Sequence, residues 1–66
     1  MKNGILRDDE GFDVLINGVV RTFRDRKIAG YEAGHVIKRK HRGDIIEARD
    51  RSTGTNVVML EDGRTQ

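Results

Sequence analysis

The stretch FDVLINGVVRTF, residues 12–23, decides the fold because it encodes a tight β-hairpin. Two runs rich in β-branched and aromatic residues flank Asn17-Gly18, a dipeptide that favours a type I′ turn with positive φ at both central positions. A two-residue loop fixes the register, so that Phe12 is predicted to lie opposite Phe23. One predicted face carries Phe12, Val14, Ile16, Val19 and Phe23, and the other carries Asp13, Leu15, Val20 and Thr22.

A helical pattern follows over residues 25–41. Asp25 can act as its N-cap, and Gly43 follows the last turn, where a residue able to adopt the left-handed conformation commonly ends a helix. Gly30 and Gly34 lie inside the pattern at a cost of about 1 kcal/mol each relative to alanine. Their spacing either clears space for the sheet or a loop, or lets another backbone approach closely. The stripe predicted to face the sheet is Ala29, Ala33, Val36, Ile37 and Lys40.

A second hairpin is predicted from DIIEARD and TNVVML, which are separated by RSTG. Gly54 suits a loop that ends in a left-handed residue, and pairing Asp50 with Thr55 sets the register. The order ββαββ predicts a two-layer α+β fold, with one helix packed on one face of a four-stranded, mainly antiparallel sheet. One predicted face of this hairpin carries Ile46, Ala48, Val57 and Met59, and the other carries Ile45, Glu47, Val58 and Leu60.

Length and composition limit what the chain can do. Sixty-six residues predict a single domain, 1–66, whose ends at 1–10 and 61–66 are expected to be flexible. Such a domain buries only about 60% of its unfolded surface, so a monomeric core is marginal. Without cysteine, neither disulfides nor thiolate zinc sites can stabilise it. No apolar run approaches the roughly 20 residues of a membrane span and no signal peptide is visible, so we expect a cytoplasmic protein without membrane contact.

The segment from residue 12 to residue 54, FDVLINGVVRTFRDRKIAGYEAGHVIKRKHRGDIIEARDRSTG, resembles small uncharacterised bacterial proteins of the same length. These have a hairpin, one alanine-bearing helix that ends in basic residues, and a strand that closes on an RD…TG turn. The resemblance covers about two-thirds of the chain. It implies this fold and a bacterial setting, and no site residue is carried over from it.

The sequence offers little support for catalysis. The lone serine, Ser52, lies in a predicted turn without the G-x-S-x-G context of a nucleophile. His35 and His41 are six residues apart, which puts them on different sides of a helix and argues against shared metal ligation. No glycine-rich phosphate loop is present, and the acidic cluster at residues 8–10 is expected to be solvated. We therefore expect no enzymatic activity, no cofactor and no metal ion.

The run HVIKRKHRG, residues 35–43, is the strongest charge signal in the chain. Cations in the last helical turn face the negative end of the helix dipole, which is typically worth about 0.3–1 kcal/mol each, so the run can simply end the helix. Alternatively it contacts nucleic acid, since four helical positions from 27 to 38 share a predicted solvent-facing sector in which a tyrosine can stack on a base. The predicted contact residues are Lys27, Tyr31, His35, Lys38, Arg39, Lys40 and Arg42.

The formal net charge is +2, but the charged residues are unevenly distributed along the sequence. Residues 21–42 carry eight Lys and Arg residues against two acidic residues, and the segments on either side are acidic. A basic middle with acidic ends makes a dipolar protein rather than a polycation, which weakens an argument for nucleic-acid binding from charge alone.

The sheet face away from the helix is the most informative feature. A single helix covers one face of an antiparallel sheet, so the other face should be polar, yet aliphatic residues are predicted there. A contiguous apolar patch marks an interface, and a twofold homodimer is the commonest arrangement. The alternatives are that Ile5-Leu6 folds over the patch, or that one strand is slipped by a residue, which would swap its two faces without removing the apolar surplus. The predicted dimer interface consists of Leu15, Val20, Ile45, Val58 and Leu60.

Two functions are therefore expected from the sequence. The first is a non-enzymatic interaction module that dimerises through its sheet and presents the helix to an unidentified protein partner. The alternative is an accessory nucleic-acid-binding protein that uses the basic helix face and the cations after it. Salt dependence separates the two, because phosphate-driven binding weakens steeply as salt rises.

Overall fold

The structure, a computed structural model, describes residues 10–66 and confirms the two-layer α+β fold. One helix packs against a four-stranded sheet of strand order β2-β1-β3-β4, in which every neighbouring pair is antiparallel. Residues 1–9, including Ile5-Leu6, lie outside the described residues. Within residues 10–66, no helix is long and apolar enough to cross a bilayer. The elements are β1 (Phe12–Ile16), β2 (Val19–Arg24), α1 (Lys27–Lys40), β3 (Ile46–Asp50) and β4 (Asn56–Val58).

The turn of the first hairpin has the predicted geometry. Asn17 has a φ of 51° and Gly18 a φ of 86°, so both central residues are left-handed, as a type I′ turn requires. Next to the turn the register is also as predicted, since Ile16 pairs with Val19. We call the sheet face covered by α1 the inner face and the opposite one the outer face.

Leu15 also pairs with Val20 as predicted, but a β-bulge in β2 overturns the predicted register beyond that pair. A two-residue loop alone predicts Val14 opposite Arg21, but Val14 pairs with Thr22 and Arg21 is the extra residue. Because side chains alternate along a strand, one extra residue moves those after it to the opposite face. The prediction that Phe23 lies on the inner face is therefore wrong: Phe23 pairs with Asp13, whose side chain is on the outer face.

The second hairpin follows its predicted register, and its inner-face residues form most of the core. Ala48 pairs with Val57, and the Asp50 backbone N–H donates to the Thr55 carbonyl at 2.9 Å. Gly54 has the predicted positive φ, at 74°. The buried core cluster is Val14, Ile46, Ala48 and Met59, with Ile16, Tyr31, Ala33, Ile37 and Val57 packed against it.

Helix α1 is rotated by about one residue, or about 100°, from the predicted orientation. It begins at Lys27, and its N-cap is Arg26 without a capping side-chain hydrogen bond, so the prediction that Asp25 caps it is wrong. The fully buried residues of α1 are its two glycines, whereas Val36, predicted to face the sheet, is 42% exposed. Ala33 and Ile37 do pack against the core, at one side of the buried stripe.

Close approach of the helix to the sheet explains the two glycines. A Cβ at Gly30 would lie 2.9 Å from the Phe12 Cβ, and one at Gly34 would lie 2.9 Å from the Met59 Cγ and Sδ. Contacts this short do not occur between real side chains, so any larger residue would push α1 away from the sheet. Of the two interpretations of the glycine spacing, clearing space for the sheet is the one that the structure confirms.

The C-terminal residues, expected to be flexible, fold back along β4. Val58 and Gln66 exchange both backbone hydrogen bonds, at 2.8 and 3.1 Å, and the Leu60 N–H donates to the Arg64 carbonyl at 2.8 Å. This tail covers the outer edge of β4. In the described part of the chain, β2 is therefore the edge strand without a neighbour.

Gly30→Ala tests the close approach. On helix propensity alone, alanine should stabilise the protein by about 1 kcal/mol. Overpacking against the Phe12 Cβ typically costs about 1–3 kcal/mol, so we expect a lower free energy of unfolding, by about 1 kcal/mol. Urea denaturation measures it, with Gly43→Ala as the control, because a Cβ there meets nothing within 4 Å. A stabilised Gly30→Ala variant would contradict the contact.

Candidate interaction surfaces

Lys38 completes the end of α1 rather than pointing into solvent. Its Nζ donates to the backbone carbonyls of Arg42 and Asp44, at 2.9 and 2.8 Å. The N–H of the C-cap residue, His41, bonds to the Ile37 and Lys38 carbonyls at 2.9 and 3.2 Å. The His41 bonds satisfy carbonyls of the last helical turn, and the Lys38 bonds hold the loop that follows the helix. The run HVIKRKHRG is thus, in part, the way this helix ends.

The loop after α1 is also bonded to the first hairpin turn. Asp44 accepts a hydrogen bond from the Asn17 Nδ2 at 3.1 Å, and its other carboxylate oxygen lies 3.3 Å from the His41 Nδ1. The Asn17 Oδ1 in turn accepts from the Ile45 N–H at 2.9 Å. Asn17 therefore has two roles, because it forms the turn and holds the segment that leads into β3.

Because the helix is rotated, the residues of the predicted solvent-facing sector of α1 do not share one exposed face. Tyr31 is half-buried and packs edge-on against Phe12, with ring centroids 6.5 Å apart. Lys27 lies over the Tyr31 ring at 5.5 Å, and His35 is half-buried. The prediction that Lys27, Tyr31, His35 and Lys38 share an exposed face is wrong. Among residues 10–66, the predicted contact residues whose side chains are exposed and make no hydrogen bond, ion pair or ring contact are Arg39, Lys40 and Arg42.

The structure separates the residues of the predicted dimer interface. Leu15 is only 2% exposed, so it offers almost no surface to a second chain. Ile45 is 59% exposed and Val20 is also exposed, whereas Val58 and Leu60 are half-buried. The outer face thus retains apolar surface at its margins rather than at its centre.

Polar side chains occupy the centre of the outer face. Glu47 pairs with Leu15 on one side and Val58 on the other, so a carboxylate interrupts the predicted apolar patch. Its Oε2 accepts a hydrogen bond from the Asn56 Nδ2 at 3.4 Å. Burying a carboxylate without strong partners is costly, so a partner on this face has to leave Glu47 solvated or supply a donor.

Asp13 anchors an ion-pair network on the same face. It is 3% exposed and receives two hydrogen bonds from Arg51, from Nε at 3.0 Å and from Nη2 at 2.8 Å, while the Arg49 Nη2 lies 3.5 Å away. The hydrogen bonds from Arg51 are the main reason that the pKa of Asp13 lies below its usual value. The Arg51 guanidinium also lies 4.4 Å over the Phe23 ring. The network was not predicted because it depends on the pairing of β1 with β3, which sets Asp13 opposite Arg49, and the sequence alone does not give the strand order.

The inner side of the edge strand forms a groove with the helix, the β2–α1 groove. Its volume is about 900 Å³. Arg21 and Thr22 are consecutive, yet both line the groove, which a regular strand with alternating side chains does not allow and a bulge does. The lining combines apolar residues of α1 with arginines and one carboxylate. These lining residues include Arg21, Thr22 and Arg24 from β2, and Ala29, Glu32, Ala33, Val36, Ile37 and Arg39 from α1.

Ser52 completes the turn of the second hairpin. Its backbone N–H and its hydroxyl both donate to the Asp50 Oδ1, at 2.9 and 2.7 Å. The hydroxyl bond is the main reason that the pKa of Asp50 lies below its usual value. The turn predicted at RSTG is thus closed by its own side chains.

Comparing Lys38→Ala with Lys40→Ala tests whether the basic run ends the helix. Lys38→Ala removes two charge-assisted hydrogen bonds at a partly exposed site, so we expect a loss of about 1 kcal/mol in the free energy of unfolding. Lys40 is exposed and close in sequence, and Lys40→Ala should change stability by less than about 0.5 kcal/mol. Equal effects in chemical denaturation would show that Lys38 does not support the loop.

Asp13→Asn tests the ion-pair network and its pH dependence. We expect a loss of about 2 kcal/mol in the free energy of unfolding at neutral pH, because hydrogen bonds to a charged group are removed. Because the pKa of Asp13 is lowered in the folded chain, the ion pair contributes fully above the unfolded-state pKa of about 3.9. Its contribution is lost as the pH falls further, through the folded-state value, and the two proteins should converge there.

The control is Asp62→Asn, because Asp62 forms an ion pair with Arg64 at 2.7 Å that is largely exposed. Such pairs are worth about 0–1 kcal/mol. Denaturation curves recorded between neutral and acidic pH measure both variants. A difference between wild type and Asp13→Asn that stays constant with pH would contradict the role of the carboxylate charge.

Comparison with known proteins adds no assignment: no family model, no curated protein and no solved structure matches this chain.

Proposed function

We propose that this protein is a small non-enzymatic interaction domain that forms a homodimer through the outer face of its sheet. The observation that carries the proposal is the balance of buried and exposed apolar residues. Among residues 10–66, five apolar residues are buried and five large aliphatic residues are exposed. A domain of this size gains little from its own core, so covering exposed aliphatic groups on association adds directly to its stability. The exposed five are Val19, Val20, Ile28, Val36 and Ile45.

The outer face supports a dimer of modest affinity. Ile45 and Val20 supply the most accessible apolar area there, and the half-buried Val58 and Leu60 extend it. Since Glu47 lies among these residues, the two copies contact each other around a solvated centre. A twofold dimer allows this arrangement, because the apolar margins of the outer face of one copy contact the same margins of the other copy.

Nucleic-acid binding is the second candidate function. It is favoured by the exposed Arg39 and Lys40 in the last turn of α1 and by the exposed Arg42 just after the helix. It is supported less well than dimerisation because Tyr31 packs against Phe12, which removes the predicted stacking surface. Binding to phosphates would weaken steeply with salt, whereas the apolar dimer would not.

The proposal includes a setting in the bacterial cytoplasm. The absence of cysteine is compatible with a reducing compartment, and the resemblance of residues 12–54 to small bacterial proteins suggests the source.

Ile45→Glu and Val58→Glu test the homodimer. Each places a carboxylate in the proposed interface, where burial without a partner costs about 2 kcal/mol or more, equivalent to a loss of about 30-fold in dimer affinity. Leu15→Glu is unsuitable, because Leu15 is buried within one chain and the variant would lose its fold. Ile28→Glu is the matched control, because Ile28 is exposed in the first turn of α1, away from the sheet face.

Sedimentation equilibrium measures the outcome. Wild type and Ile28→Glu should be dimeric at micromolar concentration, and the two interface variants should dissociate into monomers. A wild-type monomer at hundreds of micromolar would refute the dimer. A dimer that survives both substitutions would place the interface elsewhere.

A further inference from the structure

We propose that the β2–α1 groove binds an extended acidic peptide segment of a partner protein, which adds as a strand to the outer edge of β2. This surface lies on the inner side of the sheet edge and is separate from the proposed dimer face. Three features of the groove carry the proposal: a strand edge that no strand of residues 10–66 pairs with, an excess of arginine, and exposed apolar surface.

The edge of β2 provides the backbone groups for strand addition. At the other edge of the sheet, the tail bonds to β4 through Val58 and Gln66, whereas β2 has no neighbouring strand within residues 10–66 on its outer side. An extended peptide pairs with such an edge through main-chain hydrogen bonds, and pockets for alternate side chains provide specificity. Val19, at the start of this edge, is 69% exposed.

Charge selects an acidic partner. Arg21, Arg24 and Arg39 line the groove, against one carboxylate, that of Glu32. Arg24 is held along the strand, since its Nη1 donates to the Thr22 Oγ1 at 2.7 Å, and the fork of a guanidinium matches a carboxylate in two-bonded geometry. A guanidinium prepositioned in this way loses little conformational freedom when it binds.

The apolar lining favours a peptide over a nucleic acid. Ala29 and Val36 face the groove from α1, and Val36 is exposed, so the surface suits apolar side chains that alternate with acidic ones. The aromatic rings of Phe12, Tyr31 and Phe23 are not part of the lining, so the half-buried imidazole of His35 is the single ring that the described part of the groove offers to a base.

A second copy of this chain is a poor occupant of the same edge. Pairing two β2 strands would bring Arg21 and Arg24 of one copy against the same residues of the other, and like charges across strands are destabilising. The bulge at Arg21 also interrupts continuous pairing, which is a usual protection of edge strands. A short acidic peptide is not repelled by these arginines, and it does not need a long continuous run of paired residues.

The test uses a fluorescein-labelled peptide of about eight residues, a common strand length, in which glutamate and valine alternate. A matched peptide with lysine in place of glutamate and a mixed-sequence single-stranded oligonucleotide are the comparison probes. Fluorescence anisotropy should show saturable binding of the acidic peptide, with at least about tenfold weaker binding of the other two. Amide resonances of β2 and of the groove-lining part of α1 should shift on titration.

Arg21→Glu should weaken binding of the acidic peptide by at least about tenfold, because it reverses one of the three positive charges. Arg42→Glu is the matched control, since Arg42 is exposed outside the groove and should leave the affinity within about twofold. If Arg21→Glu does not fold, as judged by a loss of dispersion in its amide spectrum, Arg39→Glu replaces it. Ile45→Glu should retain peptide binding, which separates this proposal from the dimer.

N-methylation of the peptide tests strand addition. Methyl groups on the amides of one set of alternate residues should abolish binding, and methyl groups on the other set should be tolerated, since only one edge of the peptide meets β2. Several results would overturn the proposal: no binding of the acidic peptide, equal binding of the lysine peptide, or equal effects of Arg21→Glu and Arg42→Glu. Preferred, steeply salt-dependent binding of the oligonucleotide would also overturn it and identify a nucleic-acid site.

Discussion

The close contact between α1 and the sheet at Gly30 and Gly34 is the constraint on which the other features of the fold depend. Because a Cβ at either position would collide with Phe12 or Met59, this stripe alone allows the helix to pack so near the sheet. The approach lets a core of few residues exclude water, since Met59 is fully buried beneath Gly34. It also fixes the rotation of the helix, which directs Lys38 to the loop carbonyls and leaves Val36 exposed beside β2. The lost helix propensity, about 1 kcal/mol for each glycine, is offset by this packing.

The bulge at Arg21 acts together with the helix rotation to give the sheet two different surfaces. On the outer face, Phe23 comes beside Asp13 and lies under the Arg51 guanidinium, so that face acquires a polar, ion-paired region. On the inner side, Arg21 and Thr22 both reach the groove with α1. Bulges at sheet edges redirect side chains and limit edge pairing, and here one extra residue does both. The proposed peptide site thus depends on this local irregularity, whereas Val20 of the proposed dimer face precedes it and pairs with Leu15 as predicted.

Local signals were sufficient for the fold and insufficient for the surfaces. Asn17-Gly18 and Gly54 require positive φ, and the alternation of Ile46, Ala48 and Met59 marks one buried face, so both turns and the second hairpin could be predicted. The bulge has no signature of its own in VVRTF, and its effect on Phe23 comes from pairing with β1. The rotation of α1 was predicted wrongly because a hydrophobic pattern favours Val36 as a core residue and gives no weight to glycine. The distance between helix and sheet instead favours glycine on the buried side. The β2–α1 groove depended on these two features.

The distance between the glycine stripe and the sheet tests this account most directly. Nuclear Overhauser spectroscopy on isotope-labelled protein measures it through contacts of the Met59 methyl group. We expect strong cross-peaks from this methyl to the Gly34 Hα protons, with cross-peaks from the Gly30 Hα protons to the Phe12 Hβ protons, and none from the methyl to Val36. Cross-peaks from Met59 to Val36 without any to Gly34 would place the aliphatic stripe against the sheet and contradict the glycine contact.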